Sequence, residues 1–109
     1  MISEQEVERA LDYLRDNATK AATARANRVY VEEYRKVLKA QIMKERAGDS
    51  LGAQEREAYA DDRYITHLKA IQEAVHDDEY HRFMRATAEA KIEAWRSQEA
   101  TRRSEGKMQ

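Results

Sequence analysis

Two acidic–histidine pairs carry a spacing that could hold a metal. Glu73 precedes His76 by three residues, and Asp78 precedes His81 in the same way. Di-iron carboxylate bundles use the Glu-x-x-His spacing, with ligands that project inward from several helices. The upstream glutamates, Glu32–Glu33, have no accompanying histidine. Glu73 and His76 also point away from the apolar face of their segment, so we interpret these side chains as solvated and expect neither metal nor cofactor.

Nucleophilic catalysis finds no better support in the sequence. The chain has no cysteine, and neither a G-x-S-x-G elbow nor a P-loop occurs. The serines fall at cap, loop, helix-surface and tail positions: Ser3, Ser50, Ser97 and Ser104. His67 is interpreted as a surface residue. We therefore expect no catalytic residues and a protein that is not an enzyme.

The composition predicts long helices. Charged residues make up 38% of the 109 residues, proline is absent and only three glycines occur, a pattern typical of coiled coils and long helices. High charge is also compatible with disorder, but balanced charges and regular apolar spacing favour folding. Length predicts one domain. The predicted fold is all-α: a long antiparallel two-helix hairpin, resembling a coiled coil, with a short connecting helix.

Capping signals and glycines set the predicted boundaries. Ser3 with Glu6 forms a capping box that begins a helix over about 4–46. Gly48 is interpreted as its C-cap. A short helix follows at about 53–60, and Asp61 or Asp62 caps a last helix over about 62–103. A single helical domain is thus predicted over 1–103, with a flexible tail at 104–109.

The apolar positions suggest self-association. From Leu14 they recur in steps of four, at Ala18, Ala22, Ala26, Tyr30, Tyr34, Leu38 and Ile42. Such steps wind around a straight helix, because each overshoots one 3.6-residue turn. In the last helix, Tyr64, Leu68, Ile71 and Val75 share one face, whereas Tyr80, Met84, Ala88, Ile92 and Trp95 lie nearly opposite. One neighbour cannot cover both faces of a straight helix, so we predict a homodimer that completes a helical bundle. The alternative is a bent hairpin covered by its own short helix.

Charge is segregated along the chain. Residues 17–46 carry eight basic and three acidic side chains, whereas residues 47–80 carry three basic and nine acidic ones. Four of the basic residues form a strip: Arg28, Arg35, Lys39 and Arg46. This strip could contact phosphates, but a net charge of −1 is unlike a dedicated nucleic-acid-binding protein. We favour pairing of the strip with the acidic segments of the chain itself.

Aromatic residues at helical spacing indicate core or interface positions more than a platform for bases. As candidate partner-binding residues we select Arg28, Tyr30, Tyr34, Arg35, Lys39 and Trp95. The acidic N-terminus has no apolar run typical of a signal peptide, and no stretch could span a membrane. We expect a cytoplasmic protein.

Three segments carry a family resemblance: residues 28–40, RVYVEEYRKVLKA; residues 53–60, AQEREAYA; and residues 92–103, IEAWRSQEATRR. Together they resemble small helical proteins of undefined function that tailed bacteriophages and prophages encode near recombination or replication genes. The resemblance implies action in the bacterial host cytoplasm, through protein contacts in DNA metabolism.

These observations leave three functional hypotheses. The first is a non-enzymatic accessory or adaptor protein in phage recombination or replication, which binds a phage or host protein. The second is a phage inhibitor of a host defence complex or nuclease. The third, which is not favoured, is direct binding of nucleic acid.

Overall fold

The computed structural model describes residues 1–108. Three helices follow in order: α1 over Glu4–Lys44, α2 over Leu51–Ala60 and α3 over Asp62–Met108. No strand occurs among these residues. The chain runs along α3 in the direction opposite to α1, since Arg28 of α1 meets Asp78 and Glu45, just after α1, meets Arg63. The predicted all-α antiparallel hairpin with a short connecting helix is confirmed.

The first helix begins at the predicted capping box. The backbone N–H of Glu6 donates to Ser3 Oγ at 3.1 Å, and Glu6 Oε2 accepts from the N–H of Ser3 at 2.8 Å. The reciprocal pair satisfies two N–H groups that have no partner inside the helix. The helix then runs without a break through Asp16 and Asn17 to Lys44.

The connection between α1 and α2 differs from the prediction. Helix α1 ends at Lys44, and turns over 45–49 follow. Gly48 does not adopt a positive φ, so its interpretation as a left-handed C-cap is wrong. Ser50 caps α2 instead, because its hydroxyl accepts from the N–H of Ala53. Consequently α2 begins at Leu51, two residues before the predicted start.

Asp61 begins the last helix, as one of the two predicted alternatives. Its carboxylate accepts from the backbone N–H of Arg63 at 2.8 Å, the usual N-cap geometry. Helix α3 continues past residue 103 to Met108, since Gly106 alone is too weak a breaker to end it. Of the predicted flexible tail at 104–109, Gln109 lies outside the described residues. None of the described helices includes an apolar stretch that could cross a bilayer.

Contacts divide the chain into two units, and the first contains Met1–Ala22 with the chain from Tyr80 onward. Five α1 positions that are at least half-buried follow one another in steps of three and four: Val7, Ala10, Leu14, Asn17 and Ala21. Their α3 counterparts are His81, Met84, Ala88, Ile92 and Trp95. The carboxamide of Gln98 closes this unit by pairing with both the N–H and the carbonyl oxygen of Ile2, at 2.8 and 2.9 Å.

The second unit contains Thr23–Glu79. Its core is small: Ile42, Ala58 and Tyr64 are 2%, 0% and 8% exposed, with Leu38 and Met43 packed against them. Seam positions on α1 are Ala24, Arg28, Val31, Leu38 and Ile42, and those on α3 are Tyr64, His67, Ile71, Ala74 and Asp78. We call the positions named for α1 and α3 in the two units the hairpin seam; most of their steps are three or four residues.

The apolar stripe in steps of four lies in the seam over only part of its length, since Leu14, Leu38 and Ile42 are covered. Ala18, Ala22 and Ala26 are exposed, and Tyr30 is 66% exposed. Alternating steps of three and four average 3.5 residues, so the side chains at these positions stay directed at the neighbouring helix. Side chains that recur in uniform steps of four turn progressively away from that helix. In each unit α1 covers most of the predicted α3 face but not all of it, since Leu68 is 42% and Tyr80 53% exposed. Exposure of the α1 positions named above agrees with a stripe that winds away from α3, and the dimer that would cover them stays a prediction.

Candidate protein-binding surface

Arg28 occupies a seam position on α1 and is held by carboxylates. Its guanidinium lies 3.0 Å from Glu32, 3.2 Å from Asp78 and 3.1 Å from Glu79. These hydrogen bonds, above all the one to Glu32, raise the pKa of Arg28 above its usual value. Because its Nε and Nη1 already donate to three carboxylates, Arg28 links α1 to α3 and is not a free cation for a phosphate.

Lys39 is also engaged within its own unit. Its Nζ donates to the hydroxyl of Tyr59 at 2.8 Å, lies 4.7 Å from the centre of that ring and 3.8 Å from Glu55. The bond to Tyr59 is the main cause that raises the pKa of Lys39. The contacts fasten α2 to α1, so Lys39 has a structural partner in the acidic segment of the chain.

The other two residues of the basic strip, Arg46 and Arg35, differ in whether they pair with the described acidic side chains. Arg46 lies 3.6 Å from Asp49 and 3.5 Å from Glu57, whereas Arg35 is exposed. Pairing of the strip with the acidic segment over 47–80 is confirmed for Arg28, Lys39 and Arg46. Arg35 and the paired Arg46 are both exposed, whereas Arg28 and Lys39 are half-buried.

Tyr30 and Tyr34 differ in their surroundings although they stack on each other, with ring centres 6.0 Å apart and planes 18° apart. Tyr30 is 66% exposed. Tyr34 is half-buried and lies 5.5 Å from the ring of His67. Tyr34 therefore supports the seam, and Tyr30 is the member of the pair that a partner can reach.

His67 is not the surface residue that the sequence suggested. Its Nε2 lies 2.5 Å from the carbonyl oxygen of Val31 on α1. A carbonyl oxygen only accepts, so the hydrogen must be on Nε2. The imidazole bridges α3 to α1 and is half-buried, because position 67 belongs to the hairpin seam.

Trp95 lies in the first unit, apart from the other candidate residues, which all belong to the second. It is half-buried on α3 and lines an open groove of about 470 Å³ with Arg96, Glu99 and Arg103. The six candidates therefore form no single site within either unit. Tyr30 and Arg35 face outward, and the other four are half-buried.

The sequence reasoning missed an aromatic patch in the first unit. Phe83 is 63% exposed and Tyr80, one turn earlier on α3, is 53% exposed. The guanidinium carbon of Arg82 lies 5.0 Å from the centre of the Phe83 ring. Aromatic residues and arginine are the types enriched at the energetic centres of protein interfaces. The sequence offered no signal for it, because Phe83 lies between the seam positions His81 and Met84, and hydrophobicity does not reveal His81 as a seam position.

The residues with metal-ligand spacing do not come together. Glu73 and His76 are exposed, and Asp78 is committed to Arg28. Within residues 1–108, no three histidine or carboxylate side chains are grouped so as to hold a metal ion. Within the described residues, the structure therefore offers surfaces for protein contact but no group of side chains arranged to bind a metal ion.

Comparison with known proteins adds no relative: no family model, curated protein or solved structure matches this chain.

Proposed function

We propose that this chain is a non-enzymatic protein that acts through protein–protein contacts, as an accessory or adaptor in phage recombination or replication. The observation that carries the contact role is the pair Tyr80 and Phe83, 53% and 63% exposed one turn apart. Large apolar side chains grouped at a surface mark interaction sites more often than isolated ones do. We call Tyr80, Phe83 and the adjoining Arg82 the aromatic patch.

The phage setting rests on the resemblance of residues 28–40, 53–60 and 92–103. It would place the protein in the bacterial host cytoplasm, where recombination and replication proteins act. The partner that we propose for the aromatic patch is a protein of that machinery.

Direct nucleic-acid binding receives less support than protein contact. Three of the four cations of the basic strip are paired with carboxylates of the same chain, and the net charge is −1. Binding driven by phosphates releases counterions and weakens steeply with salt. Mobility-shift assays with single- and double-stranded DNA at low and moderate salt are expected to show no salt-sensitive complex.

The contact role is tested by affinity capture with the full chain as bait, from phage-infected and uninfected lysates. Phe83→Ala and Tyr80→Ala are expected to lose the captured protein, since they remove the exposed rings. Leu11→Ala is the matched control, because Leu11 is 52% exposed in the same unit but outside the patch. Capture that is indifferent to both patch variants would contradict the proposal.

The origin of the captured protein separates the two protein-contact roles. A phage recombination or replication protein, found only in infected lysate, supports the adaptor. A host nuclease or defence component, captured from uninfected lysate with the same dependence on Phe83, would support inhibition of the host instead.

A further inference from the structure

The outer side of α1 in the second unit carries a second apolar face, distinct from the hairpin seam. Six exposed residues form it: Ala26, Val29, Tyr30, Glu33, Val37 and Ala40. Val29, Tyr30 and Val37 are 50%, 66% and 47% exposed. At 100° per residue they fit an arc about 100° wide, opposite to the seam position Val31. We call these six residues the outer α1 face.

The order of residues on this face is nearly the same in both directions. Counting from Glu33, alanine occurs seven residues away on each side, at Ala26 and Ala40, and valine four residues away, at Val29 and Val37. Interfaces between two identical copies related by a two-fold axis require a patch that is complementary to itself. An antiparallel pair of outer α1 faces centred on Glu33 meets that requirement.

The exposed area of the chain indicates that such a contact is available. A folded monomer of 12.7 kDa is expected to expose about 6,200 Å². This chain exposes 8336 Å², so the excess is roughly 2,000 Å². An interface of ordinary size buries about 800 Å² on each partner, and the excess is more than enough to supply it.

We propose that the outer α1 face binds the same face of a second copy of this chain, antiparallel and centred on Glu33. Val29 then packs on the partner's Val37, and Ala26 packs on the partner's Ala40. An axis separation near 10 Å, the upper end of the usual range, places the two Glu33 Cα atoms about 5 Å apart. The proposal does not depend on the adaptor role, since it concerns the purified chain alone.

The charges near the centre are compatible with this pairing. Glu33 Oε2 lies 3.3 Å from Lys36 Nζ within one chain, so two copies bring two carboxylates and two ammonium groups to the axis. Lys36 lies three residues after Glu33 and Tyr30 three residues before it. The antiparallel register therefore places Tyr30 opposite the partner's Lys36, where its ring can accept the cation.

Cysteine cross-linking tests the register directly, because the chain has no cysteine of its own. A disulfide needs Cα atoms within about 7 Å. Oxidised Glu33→Cys is expected to form a covalent dimer, since the two-fold axis passes through this position. A mixture of Val29→Cys and Val37→Cys is expected to form the mixed dimer. Val29→Cys alone is expected to remain uncrosslinked, because its two copies would lie about 12 Å apart along the axis.

Lys44→Cys measures random collision, since its two copies would be about 33 Å apart along the helices. Far-UV circular dichroism verifies that every variant is helical. Cross-linking of Glu33→Cys and of the valine mixture at least about tenfold faster than this control supports the proposal. Two results would overturn it: no excess over Lys44→Cys, or Val29→Cys alone reacting as fast as the mixture, which indicates a parallel pair.

Discussion

Arg28 on α1 and Asp78 on α3 join the two long helices of the second unit by a 3.2 Å ion pair at which Asp78 is only 13% exposed. Both residues occupy seam positions, where apolar side chains would be expected. A charged pair in the seam adds little to the free energy of unfolding, because the cost of desolvating both charges opposes their attraction. Its main effect is on the specificity of the helix pairing. It fixes which turn of α1 faces which turn of α3.

Arg28→Ala is therefore expected to lower the thermal midpoint, because it removes the guanidinium that pairs with the half-buried carboxylate of Asp78. Arg35→Ala is the matched control, on the same helix but exposed, and should change stability by less than about 0.5 kcal/mol. A double-mutant cycle with Asp78→Ala should show strong coupling to Arg28. Additive losses, or equal losses for the two arginine variants, would mean that this ion pair does not set the register.

The small core of the second unit makes Ile42 important for folding. Ile42 is 2% exposed and packs with Ala58 and Tyr64. Ile42→Ala is expected to reduce the free energy of unfolding by about 2–5 kcal/mol. Leu51→Ala, at a residue that is 66% exposed, should change it by less than about 0.5 kcal/mol. Urea denaturation compares the two, and a loss at Ile42 no greater than at Leu51 would place the core elsewhere.

Acid should weaken the junction between α1 and α3 through Arg63. Arg63 donates to Glu45 at 2.8 and 3.1 Å and to Asp61 at 3.0 Å. These bonds lower the pKa of both carboxyls below their ordinary values of 4.5 and 3.8. Carboxyls with a lowered folded pKa bind fewer protons when folded, so their stabilisation is complete above the ordinary pKa values and is lost as pH falls through the lowered ones.

Arg63→Gln removes the cause of both shifts. Its stability should therefore fall less steeply than that of the wild type between about pH 5 and pH 3. Denaturation curves at several pH values measure this slope. An unchanged slope would show that Arg63 does not hold Glu45 and Asp61 ionised.

Gly48 offers a stabilising substitution. It does not adopt a positive φ, and a Cβ there would meet no atom within 4 Å. Gly48→Ala is thus expected to raise the free energy of unfolding by about 0.4–1 kcal/mol, since it restricts the unfolded chain without strain. Gly52→Ala within α2 should act similarly, because alanine is the better helix former. Destabilisation by Gly48→Ala alone would indicate that the turn needs a conformation open only to glycine.

The helices could be predicted from the sequence because their signals are local. Ser3, Glu6 and Asp61 act within three residues along the chain, and the absence of proline leaves nothing to interrupt α1. Boundaries were less accurate: α1 ends before Gly48 because turns over 45–49 replace a glycine cap, and α3 outlasts its predicted end.

The seam could not be read from hydrophobicity. Ala10 and Ala24 are buried but no more apolar than the exposed alanines at 18 and 22, and Arg28 is a seam residue despite its charge. Which α1 residues are buried depends on the α3 residues that pack against them. The pattern of residues within α1 carries no information about those α3 residues. The candidate partner-binding residues could not be identified for the same reason. Tyr34, Lys39 and Trp95 were selected but are half-buried, whereas the exposed Phe83 was not selected.

The central claim is that α1 packs on α3 through the hairpin seam and on a second copy of the chain through the outer α1 face. Sedimentation equilibrium of the purified chain at micromolar concentration tests this claim most directly. We expect twice the 12.7 kDa chain mass for the wild type and for the exposed control Leu68→Lys. Val37→Lys, which buries a charge in the proposed interface, should sediment as a helical monomer. A wild type that remains a folded single chain, or a Val37→Lys dimer as tight as the wild type, would contradict the account.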